Sequence, residues 1–387
     1  VARALMEQLR IRNFILCSVG GGYYAFVHRT FLEYFCAWSF VWQFNETHCL
    51  GIDELINDVF GSHWRDEEWH EVLRLISGMI DAKFVGNIIS YLIEQDGEEE
   101  KFQNLFLAGK CMSEVRSSQG IDDVESRLLN SLQDLTRYDL DYFYNFYSED
   151  AFLVREIRTQ AVKIVSTSWR DNSSTYIWLK QRVLSDESWE VRSEAVRQIA
   201  TGWKQEPGIL DLLKQRVVSD ESYSVRREAV KQIASGWKQG PGILELLKQW
   251  VVSDESYSVR REIVRQIASG WKYEPGILEL LKQRVAFDES WEVRREAVEQ
   301  IASGWKQASG TFEIFYDNAL NDPFERKHEL QDNPRQIALA AIVKQYLDHP
   351  QTLPLLQDRA ENDPDEQLQK WAKRKLQQYT TEPSKRY

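Results

Sequence analysis

The tightest constraint on this chain is a unit that returns at a fixed interval. Trp169, Trp203, Trp237, Trp271 and Trp305 are each 34 residues apart. Around them the text repeats almost letter for letter: VRSEAVRQIATGWK at 191–204, SVRREAVKQIASGWK at 224–238, SVRREIVRQIASGWK at 258–272 and VRREAVEQIASGWK at 293–306. Self-similarity at such a period marks a solenoid, because a unit this small cannot bury its apolar face alone and must stack on its neighbours.

Each unit is predicted to be two helices. In the copy after Trp271, Pro275 and Gly276 open the first helix over 277–285, with Pro in its first turn, where a missing N–H costs nothing. Ile277, Leu278, Leu281 and Val285 share one face. Asp288, Glu289 and Ser290 supply N-cap chemistry for the second helix. Val293, Ala297, Val298, Ile301 and Ala302 form that helix's apolar stripe, and Gly304 stops it.

A period of 34 also suits tetratricopeptide repeats, but those place Trp, Leu-Gly and Tyr in the first helix. Here the recurring signal is an Asp in the inter-helix turn and an Arg six residues on: Asp186/Arg192, Asp220/Arg226, Asp254/Arg260 and Asp288/Arg294. This spacing resembles short HEAT repeats, and the resemblance implies a hydrogen-bonded ladder of these residues along the stack. It also implies that the second helices line the concave surface. There the exposed columns Arg197, Lys231, Arg265, Glu299 and Glu190, Ser224, Ser258, Glu292 are the candidates for reading a protein partner.

Residues 1–49 have another character. PheIleLeuCys at 14–17 and TyrTyrAlaPheVal at 23–27 read as two strands around Gly20, Gly21 and Gly22. Thr30 and Glu33 have capping-box spacing, so a helix is expected from about Thr30, burying Phe31, Tyr34, Phe35, Trp38, Val41 and Trp42. The segment YAFVHRTFLEYFCA at 24–37 resembles the F-x-H-x-x-F-x-E-Y-x-x-A signature of NACHT-type STAND NTPases. The resemblance implies that 1–49 is the C-terminal part of a winged-helix region and that His28 touches the phosphates of bound ADP. It also implies kinship with bacterial members that carry HEAT-like sensors, some acting in antiphage defence. No G-x-x-x-x-G-K-[ST] is present, so ATP or ADP belongs to a full-length parent whose NTPase core lies upstream of Val1, and no cofactor is expected in this chain. A first residue other than Met fits such a fragment.

Residues 50–148 read as a helical domain, with helices over 55–60, 69–79, 84–94, 98–116 and 124–139. Trp64 and Trp69 anchor an exposed helix start, and the charged run 98–101 starts another. The solenoid is expected over 149–378, with a degenerate first copy around Ile157, Arg158 and Ala161, an insertion at 320–330, atypical final repeats at 333–342 and 363–372, and a disordered tail at 379–387. The fold class is thus mainly α: an α-solenoid of HEAT-like repeats preceded by a helical domain and a winged-helix fragment with one β-hairpin.

A net charge of −12 argues against nucleic acid as a general partner. Cys17, Cys36, Cys49 and Cys111 show no metal spacing and read as reduced, partly buried thiols of a cytoplasmic protein. No apolar run is long enough to span a membrane. His63, His70, His328 and His349 form no catalytic or metal pattern, so no catalysis is expected in this chain. Two function classes stand: the trigger-sensing half of a NACHT-type switch, with its NACHT domain in cis, and a free-standing HEAT scaffold.

Overall fold

A computed structural model describes residues 15–381 apart from Gly22, Ser118, Phe146 and Gln307. The expected strand residue Phe14, the rest of 1–14 and the tail residues 382–387 lie outside the described residues. The chain forms two compact units, Val1–Gly202 and Trp203–Tyr387.

The first unit opens with an antiparallel hairpin of β1 (Leu16–Gly20) and β2 (Tyr23–Phe26), pairing Leu16 with Phe26 and Ser18 with Tyr24. The turn runs through Gly20 and Gly21 at φ of 95° and 61°, backbone that glycine adopts without a Cβ penalty. Helix α1 follows at Arg29–Asn45. It starts one residue earlier than expected, with His28 in extended backbone as its N-cap and no side-chain cap. The Thr30/Glu33 capping box does not form, because Glu33 is drawn to the Arg29 guanidinium at 2.8 Å.

The aromatic face of α1 is the largest departure from expectation. Ala37, Val41 and Phe44 are the buried residues, while Tyr34, Phe35, Trp38 and Trp42 stay 39–46% exposed. Ala37, Val41 and Phe44 recur at helical spacing, and that narrow seam faces the core; the aromatics fall on the flank and lean on one another, Trp38 on Trp42 at 5.4 Å.

The helical domain then packs α2 (His70–Met79), α3 (Ala82–Glu94), α4 (Gln103–Met112) and α5 (Asp122–Asp134) around Phe60, Trp64, Leu73, Ile88, Leu107 and Leu132. Leu55–Phe60 is π-helical between two short α-helical ends, bringing Leu55, Val59 and Phe60 inward together. Trp64, expected as an aromatic anchor of this stretch, is fully buried, and Arg65 stacks over its ring at 4.0 Å. The helix expected over 98–116 starts at Gln103. Lys101 and Phe102 take positive φ, and the Phe102 N–H donates to Gly97 O at 2.6 Å, so the charged run closes a turn instead of starting a helix. The unit ends in α6 (Glu149–Ser168), α7 (Ser173–Ser185) and α8 (Trp189–Gly202), the first helices of the repeat array.

The second unit is helical pairs in series: α9 (Ile209–Ser219) and α10 (Tyr223–Gly236), α11 (Ile243–Ser253) and α12 (Tyr257–Gly270), α13 (Ile277–Phe287) and α14 (Trp291–Gly304). Two more pairs follow, α15 (Thr311–Asn321) with α16 (Pro334–Gln345) and α17 (Thr352–Asn362) with α18 (Glu366–Thr381). The last helix thus takes up 379–381 of the expected tail. Pro275 lies outside its helix; Gly276 is the N-cap at φ 82°, as are Gly242 at 76° and Gly310 at 73° in their copies. A left-handed residue is needed there to turn the chain between helices, so the glycine is present in each of these copies, while the proline before it (Pro207, Pro241, Pro275) gives way to Ser309 in the last. Val225, Ala229, Val230 and Ile233 of α10 are buried, as are their equivalents in α12 and α14, so the repeats share one continuous core.

Candidate functional site

The expected Asp and Arg columns sit at the turn between the two helices of each pair. Each Asp holds its own turn: Asp254 Oδ1 accepts the Ser256 N–H at 2.8 Å, and Asp220 and Asp288 do the same for Ser222 and Ser290 at 3.0 Å. Each Arg donates through one nitrogen to the carbonyl of the Asp in its own copy, Arg260 to Asp254 O at 2.9 Å and Arg192 to Asp186 O at 2.7 Å. Within the second unit the rest of the fork reaches the Asp of the following copy. Arg226 meets both carboxylate oxygens of Asp254 at 3.1 and 3.2 Å, and Arg260 meets those of Asp288 at 3.1 and 2.9 Å. The charge partner therefore lies 28 residues downstream, whereas the six-residue neighbour supplies only its backbone carbonyl. This is geometry a planar guanidinium can satisfy and an ammonium cannot.

The column runs further than the sequence motif did. Arg294 pairs with Asp322 at 2.7 Å, and Arg335 with Asp363 at 3.0 Å. Asp322 keeps the 34-residue period and was legible in principle. Arg335 was hidden because the 320–330 insertion sets it thirteen residues after Asp322 instead of six, yet its guanidinium still finds Asp322 O at 2.7 Å. Arg326, from that insertion, clamps Asp365 at 2.8 Å and so ties the extra loop to the final pair. At the other end Arg158 turns to Tyr138 O at 2.7 Å and Asp139 at 3.1 Å, while Asp186 takes Arg182 from its own helix at 2.8 Å.

A second row, unforeseen in sequence, runs along the second helices. Glu194, Glu228 and Glu296 are buried, and each accepts from the Gln four residues on: Gln198 at 2.7 Å, Gln232 at 2.8 Å and Gln300 at 2.9 Å. Arg265 spans to Glu296 with bonds of 3.2 and 2.7 Å. Burial pushes the Glu296 carboxyl up, but the bonds from Arg265 and Gln300 outweigh it and hold the group below its ordinary value.

The two partner-reading columns divide on this evidence. Glu190, Ser224, Ser258 and Glu292 are half-buried at helix starts instead of exposed; Glu190 accepts from the Ser188 hydroxyl at 2.7 Å and Glu292 from Ser290 at 2.5 Å. Their variation serves the helix N-termini. In the other column Arg197 reaches Glu194 at 2.6 Å, Glu299 accepts from Arg295 at 3.1 Å, and Arg265 is engaged as above. Lys231 alone of that column forms no ion pair among the described residues.

What the structure adds is a stripe. The exposed residues of α10 are Tyr223, Arg227, Lys231 and Ser235, four apart throughout. In α12 the same line is Tyr257, Arg261, Arg265 and Ser269, with Arg261 half-exposed. Arg227 and Arg261, like Lys231, form no ion pair among the described residues. The signal was present as an i, i+4 run outside the apolar stripe, but only burial separates Arg227 from its ladder neighbour Arg226.

The first unit places the remaining candidates apart. His28 is exposed at the start of α1, 6.3 Å from the Phe31 ring. His70 is buried and donates to Trp64 O at 2.7 Å; burial lowers its pKa, so it is a neutral core histidine. His63 stacks on Trp69 at 3.7 Å. Cys17 and Cys49 are exposed free thiols, against the partial burial expected, and only Cys111 is fully buried, its pKa pushed up to about 12 by burial.

Residues 178–240 match the family model of HEAT repeats. The repeats of this chain are HEAT-like. Among solved structures, the X-ray structure of Escherichia coli YibA, a structural-genomics target, is similar at 18% identity over 75% of this chain and 96% of that one, with a TM-score of 0.38. No curated protein sequence matches the chain. The HEAT-like solenoid is a helical scaffold of the kind that commonly mediates protein–protein interaction, and none of its described helices is long and apolar enough to cross a membrane.

Proposed function

We propose that this chain is the regulatory, trigger-sensing half of a NACHT-type signal-transducing NTPase of bacterial defence, with the HEAT-like solenoid holding a protein trigger. The single observation that carries this reading is the sequence YAFVHRTFLEYFCA at 24–37 lying across a β-hairpin and the helix it feeds, with His28 at the junction. An exposed imidazole at a helix N-terminus suits a phosphate oxygen, since ring N–H and free backbone N–H groups both donate there. In such a parent the NTPase core in cis brings ATP or ADP to His28, and that contact favours the closed, ADP-bound state by a differential interaction. The uncovered aromatics of α1 suit a module that meets a further domain.

The test uses the full-length parent. His28→Ala is expected to loosen ADP and to raise activity in the absence of trigger, and cross-linked trigger is expected on the second-helix face of the solenoid. Tight ADP binding by residues 1–387 alone, or unchanged ADP affinity in the variant, overturns the switch and leaves the scaffold.

A further inference from the structure

Resting on the reading of the second-helix face as the partner-binding surface, we infer that the partner presents an acidic polypeptide segment, received by the stripes of α10 and α12. The first argument is selection by burial. Every other residue of α10 is buried or half-buried, so whatever docks on this helix meets Tyr223, Arg227, Lys231 and Ser235 and little else. From Tyr223 to Ser235 the stripe is about 18 Å long at the α-helical rise. The stripe of α12 runs alongside, the two helices packed directly on each other, at a spacing of roughly 10 Å.

The second argument is charge. Arg227, Lys231 and Arg261 have no ion pair among the described residues, while the acids of the same helices are tucked beneath: Glu228 is 7% exposed and already holds Gln232. These cations are therefore available in a way that the ladder arginines, 4–6% exposed and bonded to Asp, are not. They stand on a molecule whose formal charge is −12, so an acidic segment is attracted at this strip and repelled over most of the rest, which fixes where it binds. Nucleic acid suffers the same repulsion over a much longer polymer.

The third argument is the aromatic end. Tyr223 and Tyr257 are 51% and 46% exposed at equivalent positions, each four residues before an arginine. Rigid amphipathic rings beside cations are anchors for a peptide that alternates carboxylates with apolar side chains. The strip fades beyond α12: in α14 Arg295 is engaged by Glu299 at 3.1 Å and Asp332 at 2.7 Å, and Glu299 replaces the cation of the earlier copies.

Fluorescence anisotropy on the whole chain tests this with a labelled peptide of Glu and Phe, the same peptide with Gln for Glu, and an oligothymidylate. At ~0.05 M salt the acidic peptide is expected to bind, the Gln peptide to bind roughly tenfold more weakly, and binding to fall steeply by ~0.3 M salt. Arg227→Gln, Lys231→Gln and Arg261→Gln together are expected to lower affinity by about tenfold or more with an unchanged melting temperature, since none has an ion pair to lose. Equal binding of the two peptides, binding indifferent to salt, an unaffected triple variant, or oligothymidylate binding tighter than the peptide each overturns the proposal. Such a failure leaves the scaffold reading standing, because cross-linking of the trigger tests that separately.

Discussion

At the scale of single residues, the Asp and Arg columns matter through whom they touch. Asp254→Ala removes the carboxylate that holds Arg226, which is 6% exposed, and it leaves Arg260 paired with Asp288. Arg226 then keeps only backbone carbonyls and the exposed Glu255 at 3.3 Å, so a loss of about 3 kcal/mol and a matching drop in the urea midpoint are expected. A double-mutant cycle should give strong coupling of Asp254 with Arg226 and weak coupling with Arg260. A stronger coupling with Arg260 than with Arg226 would mean that the six-residue spacing, and not the 28-residue contact, carries the energy. Glu296 gives a pH signature. Its folded pKa is depressed below 4.5, so it contributes stability above that value and loses it as pH falls through the folded pKa. Glu296→Gln should lower the melting temperature at pH ~7 and flatten its decline in acid; an acid limb identical to the parent's would remove Glu296 from the account.

At the scale of elements, the turns between helices are held by left-handed glycines. Gly242 sits at φ 76° with open space around its missing Cβ, so Gly242→Ala meets backbone strain alone. A loss of roughly 1–2 kcal/mol is expected, and Gly242→Asn should recover part of it, because Asn tolerates that conformation. Thermal melts of the two variants decide the point. The second helices set a different contrast. Lys231→Glu should leave stability nearly unchanged, whereas Arg265→Glu sets a new carboxylate against Glu296 and Glu262 and should destabilise by about 2 kcal/mol or more. Reversing the whole column at once would therefore confuse folding with binding. Variants Arg227→Gln and Lys231→Gln separate them.

At the scale of the molecule, stability in stacked repeats is carried between nearest neighbours. Opening caused by Asp254→Ala should appear in hydrogen exchange of α10 to α12 before it reaches α16 to α18. Uniform acceleration across the second unit would instead mean that the unit unfolds as one block. The first unit has a core of another kind, with Phe60, Trp64, Leu73 and Ile88 from several non-repeating helices. Trp64→Ala should cost about 4 kcal/mol there, since a fully buried indole leaves a cavity that its neighbours cannot fill.

The sequence by itself determined the repeat. A period of 34 with an apolar stripe, a glycine and an Asp/Arg pair in phase leaves no stable alternative to stacked helix pairs, because each stripe needs a neighbour. It also marked the hairpin and the helix after it, through glycine, alternation and residue type. It did not reveal direction. That Arg260 grips the following Asp288 and only the backbone of Asp254, that Arg335 rejoins the column across an insertion, and that Glu296 is buried under Arg265 all depend on where neighbouring helices put their side chains. Exposure was equally illegible. Trp38 and Trp42 read as core by type and lie half in solvent, and Glu190 and Glu292 read as exposed and lie half-buried at helix starts. Periodicity says which residues share a face of one helix; only packing decides which face is covered, because burial is a property of pairs of elements and not of one.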